Sequence, residues 1–526
     1  MRSTRVPRTC LTLFTSLLLA ATFAQSALAA KAVAFGEVNG DYETLTELLK
    51  ASGVVGDDLA WSGGSTHLVS LGNIVGDGAG SSQALELMMR LGEEAAAAGG
   101  SARVVLGMNE IAAIAVGAGA HHDYLMSQPA MIKIDDTVYV HAGLSTATAE
   151  LGADPVNQKL SVELGQIAAS LSAPDDDALA AKLEEMEVLG ANGPLRYRGT
   201  CECYQMIEAA KVKKALATLG ANRVVVSHKA YPDYRVISRV DGRVLVANTG
   251  MGSSAEGARA SAVIVDGGQA SVMYVGDEQM AEPMPEPRRV GPRPGALTDD
   301  DLEDFLSNGE VIDIVPVGSG VTEPDRLTLT MDGIQIQAIL HKEDTKPKNK
   351  RTINLSDRYQ YNVAAYELDR MLNLDMMPVT VLRNVNGKEG SVMFWVDGMI
   401  SETQRKKQEV SGSSWCSRGD QYKLMDAFDI LTFNEDRTYE NIQYEKSLML
   451  VRLIDMSRTF RINNARPPFY KQTKLAFAAE FADVLRSLNQ EEVRAAIGYL
   501  MADKNQVRSL MKRRDNMLKD WDKTQK

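Results

Sequence analysis

The chain has 526 residues, of which 44% are hydrophobic and 24% charged, and its net charge is −12. That length exceeds what a single hydrophobic core supports and argues for two or more domains, each with an ordinary globular interior. A surplus of acidic groups repels nucleic acid and anionic lipid and leaves a basic partner as the better match.

The first thirty residues stand apart. Arg2, Arg5 and Arg8 precede a mainly apolar run from Leu11 to Ala24, and Ser26-Ala27-Leu28-Ala29-Ala30 offers small residues for cleavage. That order is the pattern of a secretory signal peptide; the apolar run is too short to span a bilayer, and an uncleaved anchor is the alternative. The expected address is therefore secreted, periplasmic or the lumen of a secretory pathway, with no membrane span after cleavage. Cys10 leaves with the signal. Cys201, Cys203 and Cys416 remain, an odd set that excludes a dense disulfide framework. A bridge between Cys201 and Cys203 is strained, so cysteine usage leaves the redox compartment open.

Residues 31–278 alternate between short apolar runs and segments of helical spacing. The runs Ala32–Phe35, His67–Leu71, Arg103–Leu106, Thr137–His141 and Arg223–Val226 each end at or near Gly, Ser or His. This is the pattern of strands feeding loops in a layered α/β fold. Tyr42–Lys50, Ser82–Ala98 and Thr200–Leu219 carry helical spacing. Thr146–Leu189, with Asp175, Asp176 and Asp177 inside it, reads as a solvated helical insertion, and His121-His122 as an exposed pair. Five prolines between Ala281 and Gly295 predict an extended linker, residues 279–297, outside any sheet or helix. The second domain, 298–526, opens strand-rich and closes helical, with one amphipathic stretch over Ser487–Lys519. Arg405-Lys406-Lys407 reads as a solvated loop, and Lys512-Arg513-Arg514 as the polar face of the last helix.

Strand ends in the first domain carry Gly36-Glu37-Val38-Asn39-Gly40-Asp41, Gly72-Asn73-Ile74-Val75-Gly76-Asp77-Gly78, Gly107-Met108-Asn109-Glu110, His141-Ala142-Gly143 and Ser227-His228. In this order they resemble the metal-binding motifs of calcineurin-like metallophosphatases, particularly the bacterial-type branch of phosphoprotein phosphatases. The resemblance covers about 230 residues and implies a four-layer α/β sandwich. It also implies two divalent cations that share a carboxylate and activate a water, and here the residues depart. Glu37 and Asn39 replace the first Asp and His, Asn73 the bridging carboxylate, Met108 an Asn ligand and Asn109 the protonating His. Gly76 and Asp77 replace an Asp-Arg pair. A neutral amide and a thioether are poor partners for hard cations, and Asn109 cannot protonate a leaving group. Only His141 and His228 survive as ligands, with Glu37 a third, and Arg198 matches a phosphate-binding arginine. A pseudophosphatase follows, holding no metal or a single divalent one; the two histidines are otherwise hydrogen-bonded strand ends.

The second domain carries another set. Asp436 precedes Asn441 by five residues, and Asp455 follows fourteen later at the end of a strand-like run. That spacing is similar to the catalytic Asp, the metal-binding Asn and the metal-binding Asp of kinases. Together with the helix Tyr361–Leu372, the turn Asn434-Glu435-Asp436-Arg437 and the stretch Asp455–Phe460, it resembles atypical secretory-pathway kinases and, more distantly, phosphatidylinositol-kinase-like folds. The resemblance covers about 150 residues and implies a two-lobed α+β domain binding ATP with Mg or Mn. In it Asp436 orients a protein or small-molecule phosphoacceptor, Asn441 and Asp455 hold metal, Lys342 meets phosphate, and Gly318 and Gly320 cover it. The helix glutamate that pairs with that lysine is Asn362 here. Three functions are thereby open: a kinase-like phosphotransferase, a non-enzymatic scaffold with both folds degenerate, and a metallophosphoesterase with a rebuilt one-metal site.

Overall fold

The computed structural model describes residues 30–117, 121–170, 176–288, 290–318, 324–345 and 354–525. Residues 1–29 of the expected signal lie outside the described residues, and among those described no helix is long and apolar enough to cross a membrane.

The front half is built on eleven strands: β1 (Ala32–Phe35), β2 (His67–Ser70), β3 (Ser101–Val104), β4 (Met131–Ile134), β5 (Thr137–Val140), β6 (Arg223–Val226), β7 (Ile237–Arg239), β8 (Val244–Val246), β9 (Ser261–Asp266), β10 (Gln269–Tyr274) and β11 (Met284–Pro285). They form two sheets, ordered β10-β9-β1-β2-β3 and β11-β7-β8-β6-β5-β4. All four residues of β1 are buried, so this strand is covered on both faces. Strand alternation sends Ala34, Val69, Tyr139, Val225 and Leu245 into a slab between the sheets. Phe35, Leu68, Val140 and Val226 turn to the outer faces and join a core that includes Leu45 and Leu48 of helix Tyr42–Ala51, Met88 and Leu91 of helix Ser81–Ala97 and Leu160 and Leu164 of helix Ala153–Ser170. The order is helix, sheet, sheet, helix: the expected four-layer α/β sandwich. Parallel pairing of β1 with β2, β2 with β3, and β5 with β6 gathers their C-terminal loops on one edge.

Two front-half expectations fail on packing. The segment after Thr146 is no solvated insertion, because Val156, Leu160, Leu164 and Ile167 of helix Ala153–Ser170 join the core. The proline-rich stretch does enter a sheet: Met284 and Pro285 pair with Ile237 and Ser238 as edge strand β11, where a residue lacking an N–H is tolerated. Glu286 then accepts from Arg239 Nε (2.7 Å) and Gln205 Nε2 (2.8 Å), while Arg288 reaches Asp299 (3.1 Å), Asp369 (2.7 Å) and Asp375 (3.0 Å). The stretch is a strap bonded at both ends.

The second half is α+β. An antiparallel sheet, ordered β12-β13-β14-β16-β15, comprises β12 (Glu310–Pro316), β13 (Asp325–Met331), β14 (Ile334–His341), β15 (Thr380–Val385) and β16 (Lys388–Phe394), with helix Gln360–Met371 against it. A helical lobe follows, with a small sheet of β17 (Met399–Ser401), β18 (Ile442–Glu445) and β19 (Leu450–Leu453). The expected amphipathic stretch over Ser487–Lys519 breaks into helices Gln490–Ile497 and Asn505–Thr524, preceded by helix Ala479–Ser487. Arg405 lies on helix Glu402–Lys407, buried against Glu402 (2.6 Å), not in a solvated loop. Arg513 is also buried, donating to the carbonyls of Leu431 (2.9 Å) and Arg461 (3.0 Å).

The halves meet over a shared interior. Tyr197, Cys203, Tyr204 and Ile207 of the front half belong to the same core as the second half's helices and sheets. Arg452 donates to the Tyr204 hydroxyl (3.2 Å), and Lys213 pairs with Glu480 (3.1 Å). Cys203 and Cys416 form a disulfide with Cα atoms 5.3 Å apart, and Cys201 is a buried free thiol.

Candidate functional site

Three strand ends build the front site. Glu37 follows β1, His141 follows β5 and His228 follows β6. The carbonyl of His141 accepts the N–H groups of both Ser227 (2.8 Å) and His228 (3.1 Å), which sets the two imidazoles edge to face, 5.8 Å between centroids. His141 Nδ1 lies 2.7 Å from the Leu71 carbonyl and donates to it, leaving an acceptor lone pair on Nε2. That Nε2 is fully buried, has no hydrogen-bond partner among the described residues, and faces Glu37 Oε1 at 4.0 Å. Donor atoms of Glu37, His141 and His228 all lie within 4.8 Å of one another, the only such group found among the described residues. Close loop approach depends on Gly72, at φ +91°, where a Cβ would sit 2.8 Å from His141 Nδ1.

Burial dominates the electrostatics of the site. Burial raises Glu37 to about 7 against hydrogen bonds from Asn73, Asn248 and Asn39. Burial lowers His141 to about 4, and lowers His228 to about 4 with help from the nearby charges of Arg198 and Lys229. Without a metal, burial therefore favours neutral forms of all three groups; a divalent ion reverses the balance at the carboxylate.

Amides occupy the rest of the expected two-metal centre. Asn73 Oδ1 accepts the Asn109 N–H (3.0 Å), so its amide group is turned toward Glu37. Asn109 Nδ2 donates to Asn39 Oδ1 (3.1 Å) and to the Val75 carbonyl (2.9 Å). Asn39 and Asn73 hold left-handed backbone, φ 52° and 51°, which asparagine tolerates well. Met108 packs half-buried against the core. Glu110 fixes this corner from below, fully buried, accepting N–H groups of Asn73 (2.8 Å), Val75 (3.1 Å) and Gly107 (2.7 Å). Glu110 sits in a motif read for its other members, and Asn248 follows β8 where no motif flags it. His121 is half-buried, 3.7 Å from Glu86, instead of exposed.

Arg198 caps the short helix Gly199–Glu202 and pairs with Glu202 (2.6 Å). Its guanidinium lies 5.5 Å from the ring centre of Trp415, which belongs to the second half.

In the second half the kinase-like residues come together in part. Asn441 Nδ2 donates to the backbone carbonyl of Asp436 (2.8 Å), leaving Oδ1 without a partner among the described residues. Asp455, at φ 54° just past β19, accepts from Ser457 Oγ (2.9 Å). Arg437, clamped on Asp429 (2.9 Å), also donates to the carbonyls of Asn441 (2.6 Å) and Ile454 (3.2 Å) and so fixes both segments. Arg458 spans Asp436 (3.2 Å) and Asp357 (2.7 Å), and burial holds Asp436 above the usual carboxylate range.

Among the described residues no hydrogen bond or ion pair joins Lys342 to Asp436, Asn441 or Asp455. It pairs instead with Asp325 on β13. His341, the last residue of β14, feels the negative charges of Asp455 and Asp357, but its burial outweighs them and lowers its pKa. Asn362 accepts the Met456 N–H (2.7 Å) and donates to Ser391 Oγ (3.2 Å), a neutral tether at the position where the kinase resemblance places a lysine-pairing glutamate. Gly318, at φ +72°, lies in the turn after edge strand β12, and Gly320 lies outside the described residues.

No family model matches the chain, and no curated protein matches it. Among solved structures it is similar to the cold-active protein-tyrosine phosphatase of a psychrophilic Shewanella, with 22% identity over 47% of this chain and 80% of that one and a TM-score of 0.39. It is also similar to the Golgi casein kinase, at 12% identity over 42% and 74% with a TM-score of 0.33. Hydra Fam20, solved with sugar, is 12% identical over 43% and 88%, with a TM-score of 0.33.

Proposed function

We propose that the front half binds one divalent cation through Glu37, His141 and His228 and recognises a phosphate-bearing ligand with Arg198 at its side. The observation that carries this is the buried, unpartnered Nε2 of His141, aimed at two other ligand groups within 4.8 Å. A buried polar atom without a partner costs free energy unless something satisfies it. Two imidazoles and a carboxylate suit zinc or ferrous iron better than magnesium. A cation there supplies Lewis acidity toward a phosphoryl oxygen. Asn73 and Asn109 offer neither a bridging charge nor a transferable proton, which favours recognition over two-metal hydrolysis. Metal analysis of the full-length protein after dialysis against buffered zinc is expected to find one zinc per chain, and none in His141→Ala. A parent that retains no zinc defeats the reading.

A second reading concerns the other half, and the clasp between Asn441 Nδ2 and the Asp436 carbonyl favours it. It orients Asn441 Oδ1 for metal, so that Asn441 and Asp455 hold Mg or Mn on ATP and Asp436 faces a protein or small-molecule acceptor. Lys342, paired with Asp325, is left out of this reading. Thermal shift with ATP and Mn²⁺, absent in Asp455→Ala, tests this; no shift in the parent leaves the second half a scaffold. The inter-half disulfide supports export to an oxidising compartment.

A further inference from the structure

The front site borrows a wall from the other half of the chain. Helix Gly199–Glu202 carries Arg198 at its N-cap and Cys203 at its C-cap, and both ends are held by consecutive residues of the second half. Trp415, itself buried, lies 5.5 Å from the Arg198 guanidinium, and Cys416 is disulfide-bonded to Cys203. The holding segment is itself fixed. Cys416 N–H donates to Ser413 Oγ (3.0 Å), and the Cys416 carbonyl accepts from Gln421 Nε2 (2.8 Å). Gln421 Oε1 in turn accepts the Val451 N–H of β19 (2.7 Å). On the front side, Glu202 grips Arg198 through Nε (2.6 Å) and Nη2 (2.8 Å), which leaves Nη1 for an anion. An arginine with an aromatic face behind it and a carboxylate at its edge has little freedom left, and such preorganisation strengthens anion binding.

We propose that Trp415 and the Cys203–Cys416 bridge are positioning elements of the front site, holding Arg198 beside His228 so that phosphate affinity depends on the second half and on the redox state of the bridge. This rests on the reading that Arg198 meets phosphate. Reduction by a dithiol delivers two electrons and two protons, breaks the Sγ–Sγ bond, leaves thiols on Cys203 and Cys416, and converts the reagent to its cyclic disulfide. Trp415 is then held by packing alone.

The test is calorimetric titration of inorganic phosphate into the zinc-loaded, full-length protein. The parent, Trp415→Leu, Trp415→Phe and Arg198→Ala are compared, and the parent is repeated after treatment with dithiothreitol. Zinc content and far-UV circular dichroism are read on every sample. Leucine keeps apolar volume but removes the aromatic face, so Trp415→Leu is expected to weaken phosphate about five- to tenfold with zinc unchanged. Trp415→Phe should stay within about threefold of the parent, and the reduced parent should resemble Trp415→Leu. If Arg198→Ala binds phosphate as the parent does, the Arg198 reading falls and takes this proposal with it. If Arg198→Ala weakens binding while Trp415→Leu and the reduced protein do not, the proposal alone is overturned. Loss of zinc together with phosphate in Trp415→Leu also overturns it, since the effect then runs through the metal ligands.

Discussion

Arg437→Met removes a buried cation that joins three segments of the second half. Its side chain is 3% exposed and that of Asp429 is 0% exposed, and the two make a paired contact at 2.9 Å through Nε and Nη2. The variant strands the Asp429 carboxylate with only Asn434 Nδ2 (2.9 Å) and the Tyr470 hydroxyl (2.8 Å), and frees the carbonyls of Asn441 and Ile454. Breaking one side of a buried pair costs about 3–5 kcal/mol, because the remaining charge is desolvated without compensation. For a domain of this size, about 2–4 °C of Tm accompanies each kcal/mol, so calorimetry should record a fall of roughly 6–20 °C. The double variant Arg437→Met with Asp429→Leu should recover part of that loss, since no charge is stranded. A single variant within about 1 kcal/mol of the parent, or a double variant that loses the full sum, refutes the reasoning.

Other outcomes follow from the front site. In the metal-free protein His141 is held at about 4 against an ordinary 6.5, so between those values the unfolded chain binds a proton the folded one refuses. Stability therefore falls as pH drops through that window, by up to about 3 kcal/mol. His228 acts in the same direction and Glu37, raised to about 7, in the opposite one. Urea midpoints between pH 7 and 4.5 should show a shallower acid slope in His141→Gln; an unchanged slope counts against the assignment. Glu37→Gln removes the only carboxylate of the ligand group and should abolish stoichiometric zinc while Tm stays close to the metal-free parent. At Gly107 a Cβ would fall 2.5 Å from Asn73 Oδ1 and 2.7 Å from its backbone N, so Gly107→Ala should cost about 1–3 kcal/mol by displacing the β2 loop. Zinc retention equal to the parent's in that variant would show that the Asn73 loop does not hold the site together.

The two α/β layers were legible because strands covered on both faces read as short apolar runs, and Ala32–Phe35 and Arg223–Val226 are such runs. The ligand group was legible for the same reason: each member sits at the end of one of those runs. What escaped was long-range. Lys342 and His341 are neighbours in sequence, and only the sheet decides which of them faces Asp455. Asp357 and Asp429 belong to no spacing pattern, yet one pairs with Arg458 and the other anchors Arg437. Arg513 carries the charge of a surface residue, but three carbonyls, of Leu431 in the last turn of helix Arg418–Thr432 and of Arg461 and Asn463 in one loop, draw it inside. The prolines of the strap signalled an absence of helix correctly, but the expectation that they stay outside any sheet failed at the edge that accepts Met284 and Pro285.

The Cys203–Cys416 bond closes a covalent ring whose two ends are 213 residues apart, and the strap runs inside it. Closing a ring of that size removes entropy from the denatured chain worth about 5 kcal/mol. A protease that nicks the strap between Ala281 and Gly295 therefore cannot release either piece: the fragments travel together until a reductant separates them. Cys201, whose thiol burial pushes up to about 12, is too seldom ionised to attack the bond from next door.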